Sequence, residues 1–211
     1  MKRSNTTWII IGLLITFGFP GLPISRWENE FASLWHLIGY EIIWWTVIIL
    51  VLLYVRLIEK RPLGSIGFIS LRAKDIFIGI ITGIIIFVGL GVIYYGLFPA
   101  LNLNEDDQVN QLIATPFLWR FFSVIRAAVG EEVLFRGYAF ERLQELTGSK
   151  FISAVVSCTI FTLEHVSPWG WSHLLLAGFG GLILTVLYLW RRNLWVNIIA
   201  HLIVDGAAVL A

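Results

Sequence analysis

From Ile76 to Phe98 the chain carries no charged residue, and comparable apolar runs cover roughly Leu37–Val55, Ser172–Trp190 and Leu194–Leu210. A run of about 20 such residues is long enough to cross a bilayer as a helix. Inside hydrocarbon every backbone N–H and C=O needs a partner within the protein, which leaves helices or closed barrels. A barrel would show short segments of alternating polarity, and these runs are continuous. Only 14% of the residues are charged, against about 25% in soluble domains. With 58% hydrophobic residues and a mean hydropathy of +0.82, the chain reads as all-α. It is a polytopic transmembrane helix bundle forming a single membrane domain over residues 1–211. Its net charge of +1 is uninformative about nucleic acid, but no basic cluster of the kind that binds it is present, so no nucleic-acid partner is expected and the lipid bilayer is.

Pro, Gly and charge clusters divide the chain into about seven spans: Thr7–Phe19, Leu37–Val55, Ile76–Phe98, Pro116–Leu146, Ser149–His165, Ser172–Trp190 and Leu194–Leu210. The basic start, Met1-Lys2-Arg3, precedes a short apolar run as in a signal peptide, but no A-x-A site follows, so it reads as a retained first helix. Ser25–Glu30 is a polar loop. Ser65–Asp75 is an amphipathic interfacial stretch, and Asn102–Asn110 an acidic loop. Thr115 is placed to cap the fourth helix. With the N-terminus inside, the cytoplasmic segments hold Lys2, Arg3, Arg56, Lys60, Arg61, Arg72, Lys74, Arg142, Lys150, Arg191 and Arg192, and the outer loops only Arg26. That bias predicts N-in, C-out. Cys158, the one cysteine, excludes an intrachain disulfide and a cysteine-based metal site.

Against this background Gly130-Glu131-Glu132-Val133-Leu134-Phe135-Arg136-Gly137 stands out. Each charged residue costs several kcal/mol in a bilayer, on the order of 2.5–3.5 at a helix centre, so such residues face protein or water and mark function. Glu132 and Arg136 are i,i+4 and pair along one face. Glu131 points about 100° away. One carboxylate therefore reads as structural and the other as free to react. His165, four residues after Phe161, and the i,i+4 pair His201 and Asp205 add polar groups on two further helices. Any one of these has a plain structural explanation; together they exceed what stability requires.

Their depths agree. Glu131 and His165 each lie seventeen residues from Gly148 (148 − 131 and 165 − 148), so a hairpin about that glycine sets them side by side, about 25 Å from the turn. His201 lies eight residues past Asn193 (201 − 193), about 12 Å from its own turn. The depths coincide if the turn at Thr147-Gly148 projects about 10 Å beyond the bilayer.

Glu131-Glu132-x-x-x-Arg136, Phe161-x-x-x-His165 and His201-x-x-x-Asp205, with the flanks Phe135-Arg136-Gly137 and Asn193-Leu194-Trp195, resemble the three ordered motifs of the CPBP (CAAX protease and bacteriocin-processing, or Abi) family of intramembrane proteases. The resemblance runs from about Arg120 to the C-terminus, inside a catalytic core over 115–211. It implies hydrolysis of a peptide bond in a membrane-associated or lipid-modified protein or peptide. In one mechanism Glu131 is general base to a water held by His165, while His201 and Asp205 stabilise the oxyanion. Asp205 then either donates as an acid or orients His201. In the other, Glu131, His165 and His201 bind a divalent metal such as Zn2+. The first is favoured, so no cofactor is certain. Glu132, Arg136 and Phe161 support the site. Family analogy allows prenylated proteins, peptide pheromones, bacteriocin leaders or sorting tails as substrates, and a prokaryotic plasma membrane as the location.

Two other functions compete. A non-catalytic immunity or scaffold protein of the same family has no need of all four site residues. A small proton-coupled transporter predicts internal repeats, and none is visible. No Gly-x-Ser-x-Gly or Gly-x-Gly-Asp motif supports a serine or aspartyl protease. His173 and His36 lie outside the motifs and read as structural residues at the interface. Ser153, Ser157 and Thr159 read as bonding back to their own helix.

Overall fold

In a computed structural model, residues 6–20, 22 and 34–210 are described. The basic N-terminus Met1–Arg3 and the polar loop 25–30, with Arg26, lie outside them. The described residues are helical with no strand: α1 (Thr6–Gly18), α2 (34–58), α3 (Ala73–Leu101), α4 (Asp106–Ala114), α5 (117–147), α6 (Lys150–Glu164), α7 (Trp171–Arg191) and α8 (Leu194–Leu210). Four rods are long and apolar enough for a full crossing: Trp35–Ile58, Ala73–Leu101, Lys150–Trp169 and Trp171–Arg191. α1 and α8 are shorter, at 13 and 17 residues, or about 20 and 26 Å. The chain is an integral, multi-pass membrane protein.

Two expectations about the region before α5 need correcting. The acidic segment is not all loop. Asn102 turns the chain in the left-handed region, and Asp106–Ala114 then forms α4. Thr115 does not cap α5; its hydroxyl donates to the Leu112 carbonyl and so closes α4, while Pro116 stands at the start of α5 without a side-chain cap.

α5 is the axis of the bundle and packs against α1, α2, α6 and α8. Its middle, Glu132–Ala139, winds as a π-helix in which all eight residues are buried. α3 lies along α8 at very short range. A Cβ on Gly79 would sit 2.9 Å from the Val196 carbonyl oxygen, and one on Gly83 2.6 Å from that of Ala200. Only glycine permits this approach, the small-residue packing that joins helices in lipid.

At one end of the bundle four arginines are paired with carboxylates. Arg142 holds Glu59 at 2.5 Å and also reaches the Ser65 carbonyl. Tyr138 donates to the same Glu59 at 2.9 Å. Arg61 forks onto Glu145 at 2.6 and 2.7 Å, Arg192 meets Glu141 at 2.8 Å, and Arg191 pairs with Asp75. These pairs tie the loop after α2 and the α7–α8 turn to the C-terminal half of α5, and the end of α7 to the start of α3. Of the stretch Ser65–Asp75, expected as amphipathic and interfacial, residues 69–74 are exposed, while its start is anchored to this end of the bundle. Ile66 is fully buried, and the Gly67 and Ser70 carbonyls accept from Leu194 and Asn193.

Removing one partner of a buried ion pair leaves the other charge uncompensated, which costs about 3–5 kcal/mol. Glu59→Ala is therefore expected to destabilise the detergent-solubilised protein by about that amount, read as a lower midpoint of thermal unfolding. An unchanged midpoint would show that the pair is not buried as described.

Candidate active site

α5, α6 and α8 bring all the expected site residues together, and the two adjacent glutamates divide as their helical phases require. Glu132 is fully enclosed. Its Oε1 accepts from Arg136 Nη1 at 3.0 Å and faces His201 Nδ1 at 3.0 Å, and its Oε2 accepts from Asn197 Nδ2 at 3.1 Å. Glu131 has no such clamp. Its Oε2 lies 4.0 Å from His165 Nε2 and 3.8 Å from His201 Nε2, both beyond hydrogen-bond length. The side chains of Glu131, His165 and Asp205 keep 21%, 20% and 27% of their surface, against 8% for His201 and none for Glu132. The accessible groups thus line one side of an enclosed base.

Both histidines are oriented. His165 closes α6, and its Nδ1 lies 2.8 Å from the Phe161 carbonyl oxygen. A carbonyl only accepts, so Nδ1 carries a proton, and in the neutral form of the ring Nε2 presents a lone pair towards Glu131. His201 is held between carboxylates, Glu132 on Nδ1 and Asp205 on Nε2 at 3.4 Å.

Phe161 does more than pack beside His165. Its ring lies 4.7 Å from the His165 ring on one side and under the Arg136 guanidinium at 4.0 Å on the other. The contact with Arg136 is a buried cation–π pair. Arg136 also donates from Nη2 to the Gly181 carbonyl on α7 at 3.1 Å.

Several partners went unrecognised in the sequence. Asn197 is fully buried and bridges Glu132 to the Leu184 carbonyl at 2.7 Å. It forms an i,i+4 series with His201 and Asp205, and that spacing was the signal for it. Arg126 pairs with Glu41 of α2 at 2.9 Å and stacks on Tyr40 and Trp44. Ser157 does not bond back to its own helix but donates to the Phe135 carbonyl at 2.7 Å, while Ser153 does bond back, to Ser149. The Phe140 N–H also reaches the Phe135 carbonyl, across the π turn. His173 lies against His165 rather than apart from the site.

Among the described residues no group of three or more His, Cys, Asp and Glu is disposed to hold a metal ion. Glu131, His165 and His201 surround a space, which Asp205 flanks at 3.4 Å from His201 Nε2.

Two comparisons with known proteins found matches. Residues 113–207 match the model of the type II CAAX prenyl endopeptidase Rce1-like family. Over that segment, a little under half of its length, the chain is similar to this family. It is also similar to "Putative membrane peptidase YdiL" of Bacillus subtilis, with 29% identity over 211 aligned residues that cover 96% of this chain and 81% of that protein. No solved structure matches. The family match contains Glu131, Glu132, Arg136, Phe161, His165, His201 and Asp205 and leaves out α1 to α3, which carry no motif.

A Cβ on Gly181 would lie 2.8 Å from the Phe161 ring, so any side chain there displaces Phe161 and with it Arg136. Gly181→Ala is expected to cost about 1–3 kcal/mol, as overpacking does, and to reduce activity with the same substitution. Thermal unfolding and turnover measured on one preparation check both, and wild-type values would show that Phe161 yields freely.

Proposed function

We propose that this protein is an intramembrane endopeptidase in which Glu131 activates the attacking water. The observation that carries this reading is the placement of Glu131. It faces both His165 and His201 at 3.8–4.0 Å, while its neighbour Glu132 takes up the structural bonds. One water at about 2.8 Å from each group bridges such a gap.

In the proposed step Glu131 takes a proton from that water as its oxygen adds to the scissile carbonyl carbon. His165 Nε2 accepts from the same water and orients it. The oxygen of the tetrahedral intermediate falls to His201, whose Nε2 is steered by Asp205 and whose Nδ1 is fixed by Glu132. Glu131 then returns the proton to the leaving amine, and the C–N bond breaks. Arg136, Asn197 and Phe161 hold this frame without touching the substrate. No step needs a metal.

The substrate class is a peptide segment of a membrane-associated or lipid-modified protein, because the reacting groups belong to helices packed within a membrane bundle. The family match supports that class, and the Bacillus subtilis relative supports a prokaryotic plasma membrane as the location.

The test is cleavage of a quenched peptide library by the purified protein in liposomes. Loss of a general base lowers the rate by about 100- to 10,000-fold, so Glu131→Ala is expected to fall by that factor, while a zinc chelator leaves the wild type unaffected. Cleavage that survives Glu131→Ala sinks the assignment, and loss with chelator transfers the chemistry to a metal.

A further inference from the structure

His165 is braced by groups on a part of the chain outside the three motifs. Its ring is parallel to that of His173, with centroids 5.7 Å apart and planes 10° from each other. His173 stacks in turn on Trp169, at 5.0 Å and 17°. Nδ1 of His173 lies 2.9 Å from Oε2 of Glu105, the residue leading into α4. Glu105 is 2% exposed, and its other oxygen is buried without a hydrogen-bond partner among the described residues. A buried carboxylate with one partner is a costly way to stabilise a fold. Phe161 covers another side of His165, so the imidazole is confined between an aromatic ring of its own helix and this anchored stack.

We propose that His173, anchored by Glu105 and Trp169, is a positioning residue that fixes the ring orientation of His165 towards Glu131. The inference rests on the reading of His165 as part of the active site. The single bond from Nδ1 to the Phe161 carbonyl is a pivot: it sets the tautomer only while the ring stays in plane with it. The His173 ring blocks the swing that would break it. Nε2 then stays aimed at Glu131, where a misplacement of about 1 Å costs on the order of 100-fold in rate.

Two double variants isolate the ring from the buried charge. Glu105→Gln/His173→Phe keeps a stacked ring and removes the ion pair; Glu105→Gln/His173→Ala removes both. Nitrogen-15 spectra of histidine-labelled protein in micelles, with His165 assigned through His165→Gln, report its tautomer without any substrate. The phenylalanine double is expected to keep one Nδ1-protonated form of His165 and a kcat close to wild type. The alanine double is expected to give averaged nitrogen shifts and a kcat lower by roughly 10- to 100-fold at unchanged KM. Wild-type shifts in the alanine double, or averaged shifts in both, overturn the proposal. Should the alanine double not fold, Glu105→Gln/His173→Ser is read in its place. Averaged shifts there support the ring contact, and wild-type shifts overturn the proposal. The expected shifts in a protein whose cleavage survives Glu131→Ala would uphold the positioning of His165 and reject Glu131 as the base.

Discussion

The carboxylate of Glu132 is the interaction on which the rest depends. Burying it alone inside a membrane bundle would be prohibitive, because the desolvation of an ion is large and lipid offers no compensation. Four groups meet that demand from three helices. Arg136 comes from its own turn and Asn197 and His201 from α8, while Gly181 of α7 takes up the spare donor of Arg136. Each partner is held because Glu132 needs it, so one charge fixes the relative positions of α5, α7 and α8. Glu131 inherits that precision without being consumed by it. It sits one residue away on the most constrained turn in the molecule and keeps both its oxygens free of strong bonds.

The π turn makes this sharing possible. In a regular α-helix the buried face recurs every three or four residues, and the other face would look outward. Over Glu132–Ala139 the wider winding coincides with a segment enclosed on all sides. A carbonyl released from the i−4 pattern must find another donor. The Phe135 carbonyl takes both the Phe140 N–H and the Ser157 hydroxyl of α6. The irregularity is thereby stitched to the helix that carries His165. Such single-turn departures gather at functional sites.

Much of the site was legible in the sequence because charge in an apolar helix is so expensive that each instance carries information. The i,i+4 spacing of Glu132 and Arg136 and the phase difference of Glu131 followed from helix geometry alone, and counting from Gly148 set Glu131 beside His165. What could not be read depended on distance across the fold. Ser157 looks like any helix serine until Phe135 is seen to present a freed carbonyl. Glu105 looked like part of a solvated acidic loop, and His173 like an isolated interfacial histidine, because nothing local says that Asn102 turns the chain back so that they meet. The Gly79–Gly83 pair was hidden in a run so uniformly apolar that two glycines drew no notice.

The two ends of the bundle carry their polar residues differently, and the difference follows from what each must do. At the basic end, Glu59, Arg142, Arg61, Glu145, Glu141 and Arg192 are matched in pairs, which leaves that end closed and rigid. Near the site the pairing is incomplete: Glu131 stands off from two histidines, Asp205 keeps about a quarter of its surface, and among the described residues one hydrogen bond holds the His165 ring. Groups that must exchange protons and admit a peptide have to remain under-bonded, and in lipid that is tolerable only beside a fully bonded partner. Glu131 next to Glu132 is the shortest form of that compromise, since the enclosed carboxylate supplies the rigid frame from which the open one gains its aim.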